Sequence, residues 1–253
     1  MLNFLKEKLL NWSIPILFLI FWYFGTLDAD KYSLLPSTQR VYEAFISFLL
    51  DGSLVEHITI SSFRAIVGLI IGGGIGFLLG VFNGISPRCD SILNNPIQMI
   101  RNVPYIAMLP LILVWFGIGE GAKITIVAFG VFFPIYLNTY HGIKSVDKNL
   151  IEMGRVYGLK GLKLFYHVIF LGAAPSILVG LRQSLGRMWV TLIVAETIAA
   201  KSGIGFMVTN AREYMLMDVI VLGLVMYGLL GIFSDYIARL IERRVLRWQR
   251  ARG

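Results

Sequence analysis

Residues 63–85 read FRAIVGLIIGGGIGFLLGVFNGI: one charge at Arg64, one amide at Asn83, and otherwise only apolar residues and glycine. A helix on the surface of a soluble domain pairs an apolar stripe with a polar face, and this stretch has no polar face. Its length suits a bilayer, which takes about 20 residues of helix. Gly68, Gly72, Gly76, Gly80 and Gly84 each follow the last by four residues. On a helix they form one slowly drifting stripe along which a second backbone can approach, and Gly73 and Gly74 widen it. The stripe can serve as a sliding wall beside a pathway or as plain helix packing, and packing is the expectation. A nucleotide loop is excluded, because no Gly-x-Gly-x-x-Gly frame fits and no strand precedes it.

Five more stretches are long and apolar enough to cross: residues 11–27, 103–119, 122–143, 174–199 and 217–240. Apolar residues make up 57% of the 253 and charged residues 15%, against roughly 45–50% and about 25% in soluble domains. A soluble globule cannot hide that much apolar surface and still present a charged exterior. The expected fold is therefore an all-α membrane protein with six transmembrane helices. Lys6 and Lys8 precede the first apolar stretch as in a signal peptide, but Phe24-Gly25-Thr26-Leu27-Asp28 offers no small-residue cleavage site, so a retained helix is expected. Cys89 is the single cysteine and can form no intrachain disulfide.

The net charge of +8 follows the membrane rule that Lys and Arg gather on cytoplasmic segments. With the N-terminus inside, fifteen cations are cytoplasmic: Lys6, Lys8, Arg88, Arg101, Lys144, Lys148, Arg155, Lys160, Lys163, Arg239, Arg243, Arg244, Arg247, Arg250 and Arg252. Six face outward, Lys31, Arg40, Arg64, Lys123, Lys201 and Arg212, mixed with acidic residues that include Asp28 and Asp30. Both termini are thus expected in the cytoplasm, and the basic tail reads as a juxtamembrane segment rather than a nucleic-acid binder. Residues 28–62 are too polar to cross. Ser37 or Thr38 can cap a helix there with Val41, Ala44, Phe45, Phe48 and Leu49 on one face, lying on the outer surface.

Catalytic constellations are missing. No Gly-x-x-x-x-Gly-Lys-Ser/Thr occurs, so the chain has no phosphate-cradling loop of its own. His57, His141 and His167 lack Cys or acidic partners at metal-ligand spacing, and no Gly-x-Ser-x-Gly elbow is present. Two spans carry polar residues instead. The one at 103–119, extended back towards Asn95, begins with Asn94-Asn95-Pro96, Gln98 and Arg101-Asn102-Val103-Pro104, with Pro110 further on. Proline in a membrane helix frees carbonyls, and such a helix suits a cavity wall, with Arg101 near the cytoplasmic interface. The span at 174–199 holds Arg182, Arg187 and Glu196, and ionisable groups at that depth face protein or water. Arg187 is open to two readings, lining a passage for an anion or pairing locally. Arg182 is expected to sit near the cytoplasmic end and pair with carbonyls or carboxylates such as Asp235, and Glu196 reads as a gate or a packing residue.

Residues 144–172 form the most informative segment. Asp147 can cap a short helix with Leu150, Ile151, Gly154 and Tyr157 on one face and Lys148, Glu152 and Arg155 on the other. Gly158 can end it in the left-handed conformation, Gly161 marks a second turn, and residues 162–168 start another helix. An exposed amphipathic helix–turn–helix on a membrane bundle reads as a docking element for a soluble partner.

Glu152-Met153-Gly154-x-x-x-Gly158, with Val168 ten residues on, resembles the EAA signature of permease subunits in ATP-binding-cassette importers: Glu-Ala-Ala, three residues, Gly, nine residues, Ile-x-Leu-Pro. Met153 and Gly154 replace the alanines, and Phe170-Leu171 stands where Leu-Pro is usual. Ile60-Ser61-Ser62-Phe63-Arg64-Ala65, Gln98-Met99-Ile100-Arg101-Asn102-Val103-Pro104, Trp115-Phe116-Gly117-Ile118 and Ala195-Glu196-Thr197-Ile198 are similar to aliphatic-sulfonate permeases. Taurine, nitrate and pyrimidine-precursor permeases share much of this pattern.

The resemblance implies a type I importer permease fold and a homodimer. It further implies two copies of a cytoplasmic ATPase subunit, which bind ATP and Mg, and an extracytoplasmic solute-binding protein, all in a bacterial cytoplasmic membrane. This chain itself would hold no cofactor or metal. Glu152, Met153, Gly154, Arg155, Tyr157, Gly158 and Leu159 would form the coupling helix. Arg101, Asn102, Pro104, Arg187 and Glu196 are the expected pathway residues. Three regions are expected: 1–57, with the first span and the surface helix; 58–242, a five-span core with the coupling loop; and 243–253, the basic tail. A solute other than a sulfonate is an open alternative. So is an ion-coupled secondary transporter, although that class shows inverted repeats and a midplane site on broken helices.

Overall fold

The structure, a computed structural model, describes residues 2–27 and 34–247, without the side chains of residues 2–12 and 199. Asp28, Asp30, Lys31, Arg250 and Arg252, and the side chains of Lys6 and Lys8, on which the charge count partly rests, lie outside the described residues. The elements are α1 (Leu2–Gly25), α2 (Thr38–Leu50), α3 (Ser53–Ile85), α4 (Pro87–Asn102), α5 (Leu109–Phe116), α6 (Glu120–Lys144), α7 (Lys148–Val156), α8 (Gly161–Leu164), α9 (Leu171–Ala199), α10 (Ile204–Glu213) and α11 (Met217–Val245). A π-helical turn, Phe165–Phe170, joins α8 to α9. Among the described residues four helices are long and apolar enough to cross a membrane: α3, α6, the continuous run Gly161–Ile198 and α11.

Of these four, α3 packs on α6, α6 on α9 and α9 on α11, and α3 also touches α9. The glycine stripe makes the first seam. A Cβ on Gly68 would meet Val127 Cβ at 2.6 Å, on Gly76 the Phe132 carbonyl at 2.6 Å, and on Gly84 Ile143 Cβ at 2.8 Å. On Gly72 it would run into the Ala128 backbone. Numbers rise together along both helices, so α3 and α6 run parallel. Gly73 faces Ile135, whereas Gly74 faces open space and takes no part. The second seam is antiparallel: Gly142 meets Ser176, Gly180 meets Asn138 and the Pro134 carbonyl, and Gly130 meets Thr191. Between α9 and α11, Trp189 Nε1 donates to Ser234 Oγ at 2.8 Å. Ile66, Ile70, Leu78 and Phe82 of α3 and Leu229, Phe233 and Leu240 of α11 point outward, while Ser61, Asn83, Thr139, Ser184 and Thr191 are buried. Apolar outside and small or polar inside is the arrangement of a bundle solvated by lipid.

Three expectations change. The stretch 103–119 is not one helix: α4 ends at Asn102, residues 103–108 turn, and α5 restarts for eight residues. Pro104 supplies the reason, since it disfavours helix at the residue before it. Turn bonds from Ala107 N–H to the Pro104 carbonyl (2.9 Å) and from Met108 N–H to that of Tyr105 (3.1 Å) satisfy the freed backbone. Residues 162–168 start a helix as expected, but it runs on through the π-helical turn into α9, so the fifth span begins at Gly161 rather than at 174. The α3 helix begins ten residues before 63, at Ser53.

The α2 helix stands as expected, with Ser37 Oγ accepting from Arg40 N–H at 3.4 Å and Ala44, Phe45 and Phe48 packed on the core. Leu49 instead is 42% exposed. At the turn into α3 the Asp51 carboxylate accepts from the Ser53 hydroxyl (2.6 Å) and N–H (2.9 Å), which holds its carboxyl below the usual range.

Candidate functional site

The α7 helix hangs below α6. Asp147 caps it, accepting from Asn149 N–H at 2.9 Å. Its end is a closed C-cap: Leu159 N–H reaches the Gly154 carbonyl at 3.0 Å, Gly158 N–H reaches that of Arg155 at 2.9 Å, and Gly158 has φ +83°. The two faces divide differently from the sequence pattern. Ile151 packs with Ile143, Val146 and Ala173, and a Cβ on Gly154 would meet Leu164 Cδ1 at 2.8 Å, so this side is fastened to the bundle. Leu150, Met153, Val156 and Tyr157 are exposed, the last two at 86% and 81%. Glu152 and Arg155 are exposed beside them, and Leu159 is half-buried. The result is a rigidly held helix offering an apolar strip with a charged border, 9 residues long.

A cavity of about 350 Å³ opens where α4 breaks. Arg101, Val103 and Tyr105 line it from the break, Phe129, Gly130, Phe133, Pro134, Leu137 and Asn138 from α6, and Gln183 and Arg187 from α9. The structure thus brings Arg101 and Arg187 together. Asn102 and Pro104 are not in its wall, although Pro104 makes the turn that carries Tyr105. Arg101 is level with the middle of α6, not with the end next to α7 where the sequence put it. Sequence reasoning missed Asn138, Tyr105 and Gln183; Gln183 and Arg187 are four residues apart on one helix face, a signal that was available. Arg182, one residue round the helix, behaves as expected and donates to Asp235 at 2.7 Å.

Glu196 is elsewhere. It is wholly buried against Arg64, whose Nη1 lies 2.7 Å from Glu196 Oε1. The same carboxylate accepts from Ser61 Oγ (2.8 Å), Gly205 N–H (2.8 Å) and Tyr227 OH (3.0 Å). Arg64 also forks onto Glu120 at 2.6 and 2.7 Å and donates to the Ser202 carbonyl at 2.7 Å, and Lys123 joins Glu120 at 2.8 Å. Gly203 sits over the pair with φ +109°, where a Cβ would collide with the Glu196 carboxylate. This network ties α3, α6, α9, α10 and α11 at the end remote from α7. Glu196 therefore lines no part of the cavity.

Comparison with known proteins gives a consistent result. The family described as "Binding-protein-dependent transport system inner membrane component" matches residues 72–247. The chain is 48% identical, over 95% of its length and 92% of the relative's, to the aliphatic sulfonates transport permease protein SsuC of Escherichia coli (strain K12). It is 36% identical, over 93% and 86%, to the protein of that name in Bacillus subtilis (strain 168). Among solved structures, an inward-facing MetNI methionine ABC transporter is similar with a TM-score of 0.55 at 20% identity, covering 78% of this chain and 97% of that one.

Proposed function

The chain belongs to the binding-protein-dependent transport system inner membrane component family, and from that premise we propose that it is the permease subunit of an ATP-dependent importer of aliphatic sulfonates. The 48% identity to a sulfonate permease across nearly the whole chain carries this reading. A cavity with two guanidiniums and an aromatic wall agrees with it.

The reading extends to six crossings. Parallel α3 and α6 require the chain between them to return across the bundle. The 16 residues of α4 and 8 of α5 span together about 36 Å at 1.5 Å per residue, enough for a hydrocarbon core of about 30 Å. The 24 residues of α1 supply the first crossing. Both termini and α7 then face the cytoplasm.

Arg187 supports a homodimer. It is exposed on the single chain, yet lies roughly 16 Å along the helix from Ile198. A guanidinium at that depth belongs against water or protein, and a second copy facing the cavity encloses it. Two ATPase subunits, which bind the ATP and Mg, receive one α7 strip each, and an extracytoplasmic binding protein delivers the solute. Closure of the ATPases pulls on α7 and so on α6 and α9, which switches the cavity between the two sides.

The test is uptake of labelled ethanesulfonate by cells lacking this chain and by cells with it restored, with taurine and nitrate as competitors. Uptake should vanish and return with the chain and be displaced by sulfonates. Uptake indifferent to the chain refutes the reading. The coupling role has its own test: Gly158→Val forces a β-branched residue into the left-handed region, at about 1–2 kcal/mol or more. Uptake should fall several-fold while the chain still reaches the membrane. Normal uptake in this variant removes α7 from the coupling path.

A further inference from the structure

The cavity at the α4 break has an electrostatic character that plain passage does not require. Its charged lining is wholly cationic, Arg101 and Arg187, with no carboxylate in the wall. Arg64, Lys123, Lys144, Arg182 and Arg239 are ion-paired; among the described residues the two cavity arginines have no such partner. The amides are oriented as well. The Pro134 carbonyl can only accept, so the Asn138 amide nitrogen faces it at 2.8 Å and also donates to Gln183 Oε1 at 3.3 Å. That turns the Gln183 nitrogen outward as a further donor, one helical turn from Arg187. Phe129 and Phe133 line the cavity from α6, and both also line an apolar groove of about 390 Å³ between α3, α4 and α6.

We infer that this chain carries its own binding site for an amphiphilic organic anion, with the oxyanion head on Arg187, Arg101 and Gln183 and a short hydrocarbon tail against Phe129 and Phe133. Guanidinium forks suit a head with several equivalent oxygens, and the aromatic wall rewards a tail that bare inorganic anions lack. The volume is within the range of small-molecule sites. The inference rests on the proposed importer reading and deepens it: part of the selectivity for head plus tail resides in the permease itself.

The test uses the complete transporter in lipid nanodiscs, without its binding protein, and equilibrium retention of labelled 1-butanesulfonate. Sulfate and 1-butanol serve as head alone and tail alone. Retention should saturate, and sulfate or butanol should compete at least tenfold more weakly than unlabelled butanesulfonate. Arg187→Gln and Gln183→Glu should each weaken retention at least tenfold at equal amounts of folded complex. Arg187→Lys should restore part of it, and Arg243→Gln, at the far end of α11, should leave it unchanged. Retention undiminished in both cavity variants overturns the site. So does no retention by the wild type while cells still import ethanesulfonate through this chain, and in that case the importer reading stands. Ethanesulfonate uptake that never depends on the chain refutes the importer reading instead and withdraws the site with it.

Discussion

Gly72→Val should nearly abolish the folded protein in the membrane, while Gly74→Val, two residues away on the same helix, should accumulate normally. At Gly72 an added Cβ would enter the Ala128 carbonyl, backbone on backbone, with no side chain free to move aside. Overpacking of a core usually costs about 1–3 kcal/mol, and a clash with a rigid helix backbone belongs at or above the top of that range. In lipid no hydrophobic force pushes α3 and α6 back together, because lipid tails compete equally for the exposed faces. At Gly74 the added Cβ meets nothing within 4 Å, and the change gains a few tenths of a kcal/mol in helix propensity. The measurement is the amount of each variant in the membrane fraction and its thermal unfolding midpoint after purification. Equal levels of the two variants contradict the α3–α6 seam.

That pair of glycines also marks what could be read from the chain. Spacing by four placed Gly68 to Gly84 on one stripe, and the structure uses it for packing, but Gly73 and Gly74 were read as widening the stripe when only Gly73 faces a neighbour. Hydropathy located α3, α6, α9 and α11 because each holds an apolar window close to a bilayer's length, although Arg182, Arg187 and Glu196 interrupt α9. It failed at residues 103–119, since a window average cannot see a turn that Pro104 imposes inside an apolar run. It also missed that residues 161–198 form one continuous helical run. The cap and stop of α7 were legible because Asp147 and Gly158 act locally, whereas the division of its faces was not. Gly154 turns inward against Leu164 and Val168, across the Gly161 turn, and Ile151 against Ile143, Val146 and Ala173. The cavity was half legible: Arg101 and Arg187 stood out as charges in apolar sequence, but the polar neutral residues between them did not.

The pairing of Arg64 with Glu196 was the largest omission, and it carries the other large effect. Arg64 was read as one more outward cation and Glu196 as a pathway residue; yet opposite charges at the same end of two membrane helices are strong candidates to meet. In the structure their side chains are 1% and 0% exposed. Removing one partner of a buried pair costs about 3–5 kcal/mol, because the other is left without its counter-charge in a medium that solvates it poorly. Arg64→Leu leaves the Glu196 carboxylate with only the neutral donors Ser61, Gly205 and Tyr227. Glu196→Leu leaves Arg64 with Glu120, which is half-exposed, as its one carboxylate beside the Ser202 carbonyl, and takes the acceptor from Gly205 N–H at the N-terminus of α10. Each single variant should therefore accumulate poorly and unfold at much lower temperature. Arg64→Leu combined with Glu196→Leu removes both buried charges, so its loss should fall well short of the sum of the two. Thermal unfolding of the purified single and double variants measures this. Strict additivity would mean that each residue acts through its other contacts, and that the ion pair is not what binds α10 to the bundle.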